Sequence, residues 1–219
     1  MKYIIPTRLF VTAILVLLLQ PILAKAEGNL NIGADIRTVY GAFYTYNRGY
    51  TYDTFSLTGV KAEYARKLSS SDRFSYQFGG GFALFYGDHE YEIGISSDKG
   101  GSTAAAELSL FGEADMQLKP QFDVVGRLGL AFMYLYAENA SENAPAPYDW
   151  EFRQGYVDLF IAVGGKYHFT ANRNSSIAVL YRTDVALLSG WAEYDAWDRE
   201  PENNDYNNYG FQIIYSKNF

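Results

Sequence analysis

Apolar and polar residues alternate along most of the chain with period 2, the spacing of a β-strand, and the alternation recurs eight times. The segments lie at roughly residues 30–46, 54–67, 73–87, 103–118, 121–137, 154–169, 175–189 and 207–219. Segment 103–118 shows it most plainly: Ala106, Leu108, Leu110, Ala114, Met116 and Leu118 share one face, and Glu107, Ser109, Phe111, Glu113, Asp115 and Gln117 the other. In 154–169 the face bearing Val157, Leu159, Ile161 and Val163 opposes Asp158, Lys166 and His168. In 175–189 Ile177, Val179 and Val185 oppose Arg182 and Asp184.

A one-residue slip in such a pattern turns every side chain to the wrong face, so ionisable residues away from segment ends test the reading. They keep one parity within each segment: Asp35, Arg37, Lys61, Glu63, Glu107, Glu113, Asp115, Asp123, Arg127, Asp158, Lys166, His168, Arg182 and Asp184. A water-soluble sandwich has the same period with an apolar interior and a polar outside. Two further patterns distinguish the cases. Odd-numbered connections are long (47–53, 88–102, 138–153, 190–206), whereas the even ones are tight, at Leu68 to Asp72, Lys119-Pro120 and Thr170 to Asn174. Outward aromatics also sort by height. Tyr64, Phe74, Tyr76, Phe122, Tyr167, Phe169, Tyr215 and Phe219 lie near the tight turns, and Tyr40, Tyr44, Tyr86, Tyr134, Tyr136, Tyr209 and Phe211 near the long connections. Two aromatic girdles around an aliphatic belt suit a bilayer with two interfaces. The expected fold is therefore all-β: an eight-stranded antiparallel up-and-down transmembrane β-barrel, with short turns periplasmic and long loops extracellular.

Residues 1–26 read as a secretory signal peptide, with Lys2 and Arg8 at a charged start, an apolar run from Leu9 to Leu19 and a small-x-small site at Ala24-Lys25-Ala26. The barrel would then occupy residues 27–219, with a net charge of −10 against −7 for the whole chain. So acidic a chain argues against a nucleic-acid partner, which needs clustered Lys and Arg. With no Cys, the chain has neither a disulfide scaffold nor thiol chemistry. Nearly all the excess negative charge falls in the long connections, among them Asp88, Glu90, Glu142, Asp149, Asp195 and Glu202.

The last segment, Tyr209-Gly-Phe-Gln-Ile-Ile-Tyr-Ser-Lys-Asn-Phe219, resembles the C-terminal strand of bacterial outer-membrane proteins. Phe219, Tyr215, Ile213, Phe211 and Tyr209 fit that pattern and Lys217 departs from it. The resemblance implies that Phe219 and Tyr215 form the assembly signal read by the outer-membrane insertion machinery. Strand number, loop number and length together resemble the small barrels of the OmpA-transmembrane, OmpX and Ail type. Outer-membrane lipid and lipopolysaccharide are then the implied surroundings.

An eight-stranded bore is filled by side chains, so charges of both signs inside it should interlock. Glu113 is expected opposite Arg127 and Arg37 near Glu63, with Lys166, Arg182 and Asp184 as further ion-pair candidates. The first reading is a structural plug; a narrow path for small solutes is the alternative. Chemistry at the rim is the other alternative. His89 follows Asp88 at the mouth of the second loop, as in the Asp and His of omptin proteases. Adjacent residues of a strand face opposite sides, however, and that family has ten strands. Lipid A-modifying barrels need Ser and His together at the membrane edge. No His-x-Ser stands on a strand, although Ser96, Ser97 and Ser102 share a loop with His89. Trp150, Trp191 and Trp197 fall in the third and fourth loops, either as extensions of the girdle or as contacts to an exterior ligand or host surface. The nearby acids suit a bridging divalent cation, but no spacing resembles a calcium loop. The sequence implies no cofactor and no metal site. A structural or surface-interaction role is expected, with a lipid-modifying enzyme and a small-solute channel as alternatives.

Overall fold

The computed structural model describes residues 28–45, 49–93, 96–138, 151–194 and 207–218, with side chains omitted at 41–53, 91–100, 138, 151–154 and 188–194. Eight strands follow in order: β1 Gly28–Thr45, β2 Gly49–Ser70, β3 Phe74–Ile93, β4 Ser96–Lys119, β5 Phe122–Glu138, β6 Glu151–His168, β7 Ser175–Tyr194 and β8 Asn207–Asn218. Each pairs antiparallel with its neighbours in sequence, and β1 pairs with β8, so the sheet closes on itself. Over the length that β8 spans, closure pairs every strand on both sides, the condition for a sheet to exist in hydrocarbon. Residues 1–27, and with them the expected signal peptide, lie outside the described residues.

The faces are inverted relative to a soluble protein. All fourteen ionisable residues that the sequence turns inward are at most 6% exposed. Facing outward, Ile36, Val60, Leu84, Leu110, Leu128, Ile161, Val179 and Ile213, one per strand, are each at least 46% exposed. Water would penalise a continuous apolar belt of this kind, and lipid accommodates it. Phe74, Tyr76, Phe122, Tyr167, Phe169 and Tyr215 ring the short-turn end, while Tyr86, Tyr209 and Phe211 stand toward the other, all exposed.

Two long connections contract. The ladder carries β2 back to Gly49, β3 on to Ile93 and β4 back to Ser96, so the connections expected at 47–53 and 88–102 are reduced to 46–48 and 94–95. Hydropathy marks where a strand leaves the membrane; backbone pairing can continue beyond, with both faces polar. At about 3.4 Å per residue and a tilt near 40°, the 24 residues of β4 rise about 60 Å, more than twice an apolar band of about 25 Å. Residues 139–150 and 195–206, between β5 and β6 and between β7 and β8, lie outside the described residues. At the opposite end the turns are tight. Ser71 Oγ accepts from the Phe74 amide at 3.3 Å, and Arg173 takes a left-handed φ of 59° in the turn between β6 and β7.

Candidate functional site

The inward face of β4 sends Glu107 across the bore to the β7–β8–β1 wall. There Gly210 of β8 stands in register with both Arg37 of β1 and Arg182 of β7. With no side chain at Gly210, the two guanidiniums lie side by side, and Glu107 reaches both. It accepts from Arg182 Nη1 and Nη2 at 2.9 and 3.1 Å, from Arg37 Nη2 at 3.2 Å, and from Arg37 Nη1 in a shorter contact. Each arginine also holds the acid two residues away on its own strand. Arg37 binds Asp35 through Nε at 3.0 Å and Nη2 at 2.7 Å, and Arg182 binds Asp184 at 2.7 and 2.6 Å. From β8, the Gln212 amide donates to Asp35 at 2.7 Å and the Asn208 amide to Asp184 at 3.1 Å. Glu107, Asp35 and Asp184 balance two arginines to a net charge of −1.

A second cluster lies toward the short-turn end. Glu63 accepts from Lys61 at 2.6 Å and Arg127 at 2.9 Å. Arg127 Nε donates to Glu113 at 2.5 Å, and Lys166 bridges Glu113 at 2.6 Å and Asp115 at 2.8 Å. Three acids and three bases close this cluster at zero charge. At the bottom, Asp123 meets His168 Nε2 at 2.9 Å and receives Arg173 from the turn. Every arginine here uses the planar, multi-donor geometry that lysine lacks.

The two arginines of the first cluster and Arg127 of the second share a support absent from the sequence reading. Arg37 lies 4.8 Å above the centre of Phe85, Arg127 4.6 Å above Phe111 and Arg182 3.9 Å above Phe160. Each phenylalanine in turn lies over a glycine in register on the neighbouring strand: Gly59 under Phe85, Gly79 under Phe111, Gly129 under Phe160. A methyl group at Gly79 or Gly129 would stand 2.7 or 2.6 Å from the ring. Glycine, aromatic ring, guanidinium and carboxylate thus stack inward from the wall as a repeated unit. The ring face favours the cation and fixes its plane for the carboxylate. A glycine directly across from an inward phenylalanine was the readable signal.

Glu113 and Arg127 are register partners and in contact. Arg37 and Glu63 are not brought together. In the β1–β2 register Asn31 faces Glu63 and Arg37 faces Leu57, six residues or about 20 Å along the strand. Above the Glu107 cluster, Val39, Phe55, Leu57, Phe85, Met133, Leu135 and Tyr156 pack into an apolar cluster. His89 belongs there: it is 1% exposed and stacked on Phe55 at 4.6 Å and 13°. It faces the bore, away from lipid, while Asp88 faces out. Trp191 lies in β7 without a described side chain, and Trp150, Trp197 and Phe219 lie outside the described residues. Tyr215 faces outward at 43% exposure. No cluster of metal-ligating side chains occurs among the described residues.

No family model and no curated protein matches the chain. Among solved structures it is similar to the outer-membrane protein OprG of Pseudomonas aeruginosa, with TM-score 0.52, 15% identity, and 87% of this chain and 96% of that one covered. It is similar also to Neisserial surface protein A, with TM-score 0.50, 9% identity and coverages of 88% and 97%. Ail of Yersinia pestis, crystallised with a heparin analogue, gives TM-score 0.50, 12% identity and coverages of 90% and 100%. At such identities the likeness concerns the fold. The chain has the fold of the small outer-membrane β-barrel proteins, with eight antiparallel strands around a bore lined by buried charged side chains.

Proposed function

We propose that this is an outer-membrane protein whose barrel is a closed scaffold, serving envelope integrity and surface contact. The observation that carries this reading is the burial of the bore. Residues lining a water-filled channel are accessible to water, and here the fourteen ionisable residues that the sequence turns inward are at most 6% exposed, beneath a cluster of buried apolar residues. Against rim catalysis stands His89, which is stacked inside the bore on the side away from lipid. In this reading the short turns face the periplasm, the connections 139–150 and 195–206 face the exterior, and Trp150, Trp191 and Trp197 serve exterior contact. Tyr215 and Phe219 engage the insertion machinery, and lipopolysaccharide surrounds the wall.

The chain lacks cysteine, so single cysteines report orientation cleanly. A membrane-impermeant maleimide on intact cells should label Asp198→Cys and leave Asn174→Cys unlabelled; the reverse pattern overturns the orientation. Cells without the protein should become more permeable to detergent. Replacement of 195–206 by a short Gly-Ser turn should restore the barrier but not attachment to surfaces. Full attachment by that variant would defeat the surface-contact role.

A further inference from the structure

At the foot of the bore one carboxylate stands between an arginine and a histidine. Asp123 of β5 accepts from Arg173, in the turn between β6 and β7, and its Oδ2 lies 2.9 Å from Nε2 of His168, the last residue of β6. The same Nε2 lies 2.8 Å from Arg173 Nη2. A guanidinium can only donate, so Nε2 accepts from it and the ring proton falls on Nδ1, which is buried without a partner among the described residues. The other tautomer offers Asp123 an Nε2–H but sets two donors against each other. The neutral ring therefore has no form that satisfies all three groups. Arg173 takes its left-handed φ of 59°, a region that non-glycine residues avoid, while its Nη1 donates to Gln117 of β4 at 2.8 Å. Its turn is also tied to the end of β8. Asn218 Nδ2 donates to the Arg173 carbonyl at 3.0 Å, and the Asn218 amide to the Asn174 carbonyl at 2.9 Å.

We infer that Arg173 is a latch released by acid: a proton from solvent binds Nε2 of His168, Asp123 passes to the imidazolium, and Arg173 leaves with its turn. Protonation makes Nε2 a donor, sets imidazolium and guanidinium 2.8 Å apart, and takes the trio from zero charge to +1. The Arg173 side chain is 30% exposed and can move into water. His168 and Asp123 cannot, since both face inward and are at most 6% exposed. The remaining surroundings do not offset the added charge. Lys166, two residues earlier on β6, is a further cation near the ring, held by Glu113 and Asp115 of β4, and the β7 register partner is the uncharged Ser176. The released form binds the proton more tightly than the latched form, so falling pH populates it. Release frees the turn and loosens its hold on Asn218, while the clusters around Glu107 and Glu113 stay paired. The latch depends neither on which way the turns face nor on what the loops contact.

The test places a nitroxide on Asn172→Cys, an exposed position in a chain without cysteine, in the full barrel refolded into phosphatidylcholine nanodiscs. Its electron paramagnetic resonance spectrum should gain a mobile component as pH falls from about 8 to about 5, the range in which histidine changes charge. Adding His168→Gln should leave the label immobile throughout, and adding Arg173→Ala should leave it mobile throughout. Linkage supplies a second readout. If protonation expels Arg173, then Arg173→Ala must ease protonation, and the His168 titration followed by nitrogen NMR should move up by about one pH unit. Heat-modifiable migration checks folding, and the NMR comparison decides the matter if His168→Gln does not fold. Label mobility independent of pH in the otherwise wild-type chain overturns the proposal. So does the same acid response in folded His168→Gln, which would assign the trigger to a carboxylate, or an unmoved His168 titration in Arg173→Ala.

Discussion

Glu107 offers the sharpest test of the lumen network, because one carboxylate joins the arginines of two strands. Glu107→Gln changes no volume. It removes a charge that is 2% exposed and takes four hydrogen bonds from Arg37 and Arg182. An amide offers one acceptor oxygen, and its NH₂ group turns two donors toward guanidinium N–H groups, so one arginine loses its contact and meets a donor. Each arginine keeps its own aspartate, which confines the damage to the bridge. Buried ion pairs contribute little net stability relative to apolar packing, but removing one partner strands the others, at about 3–5 kcal/mol. We expect a loss near 3 kcal/mol, about a hundredfold in the unfolding equilibrium, from urea titration of the refolded barrel in vesicles. Adding Arg182→Met should recover part of it, giving a coupling energy of about 1–3 kcal/mol. Ser56→Ala, outward and exposed, should stay within about 0.5 kcal/mol. A Glu107→Gln loss below about 1 kcal/mol, or strict additivity with Arg182→Met, would refute the bridge.

Gly79→Val should displace Phe111 and unseat Arg127, at about 2–4 kcal/mol, whereas Val at outward Gly112, where space is open, should cost less than half of that in the same titration. Leu128→Arg places a charge in the lipid-facing belt and should lower stability by about 2–4 kcal/mol; equal stability would place that residue outside the membrane. Arg173→Ala frees Asp123 and should speed hydrogen exchange of the amides around His168 and Asp123 while leaving those around Glu107 unchanged. Deleting Phe219 should slow assembly into the outer membrane of cells but not refolding into detergent micelles, and equal slowing of both would remove the recognition role.

The parts of this fold legible in the sequence are those that period 2 encodes. Which face a residue takes depends only on its own strand, so Asp35, Glu107 and Arg182 could each be turned inward without knowing their neighbours. Glu113 and Arg127 were readable as a pair because a tight turn fixes the register between β4 and β5. Who meets whom across the bore is different. Arg37 meets Glu107 on the opposite wall because strand tilt and stagger set relative heights around a closed sheet, and no local pattern carries that information. The same ignorance placed Arg37 beside Glu63. The contracted connections at 46–48 and 94–95 escaped notice because hydropathy reports the membrane border, not the end of backbone pairing.

Conductance of the refolded wild-type protein in planar bilayers tests the closed scaffold most directly. A bore whose charged residues are at most 6% exposed should leave the bilayer silent at voltages where an open porin conducts. Reproducible unitary steps from wild type, abolished by protein denaturation, would contradict the account.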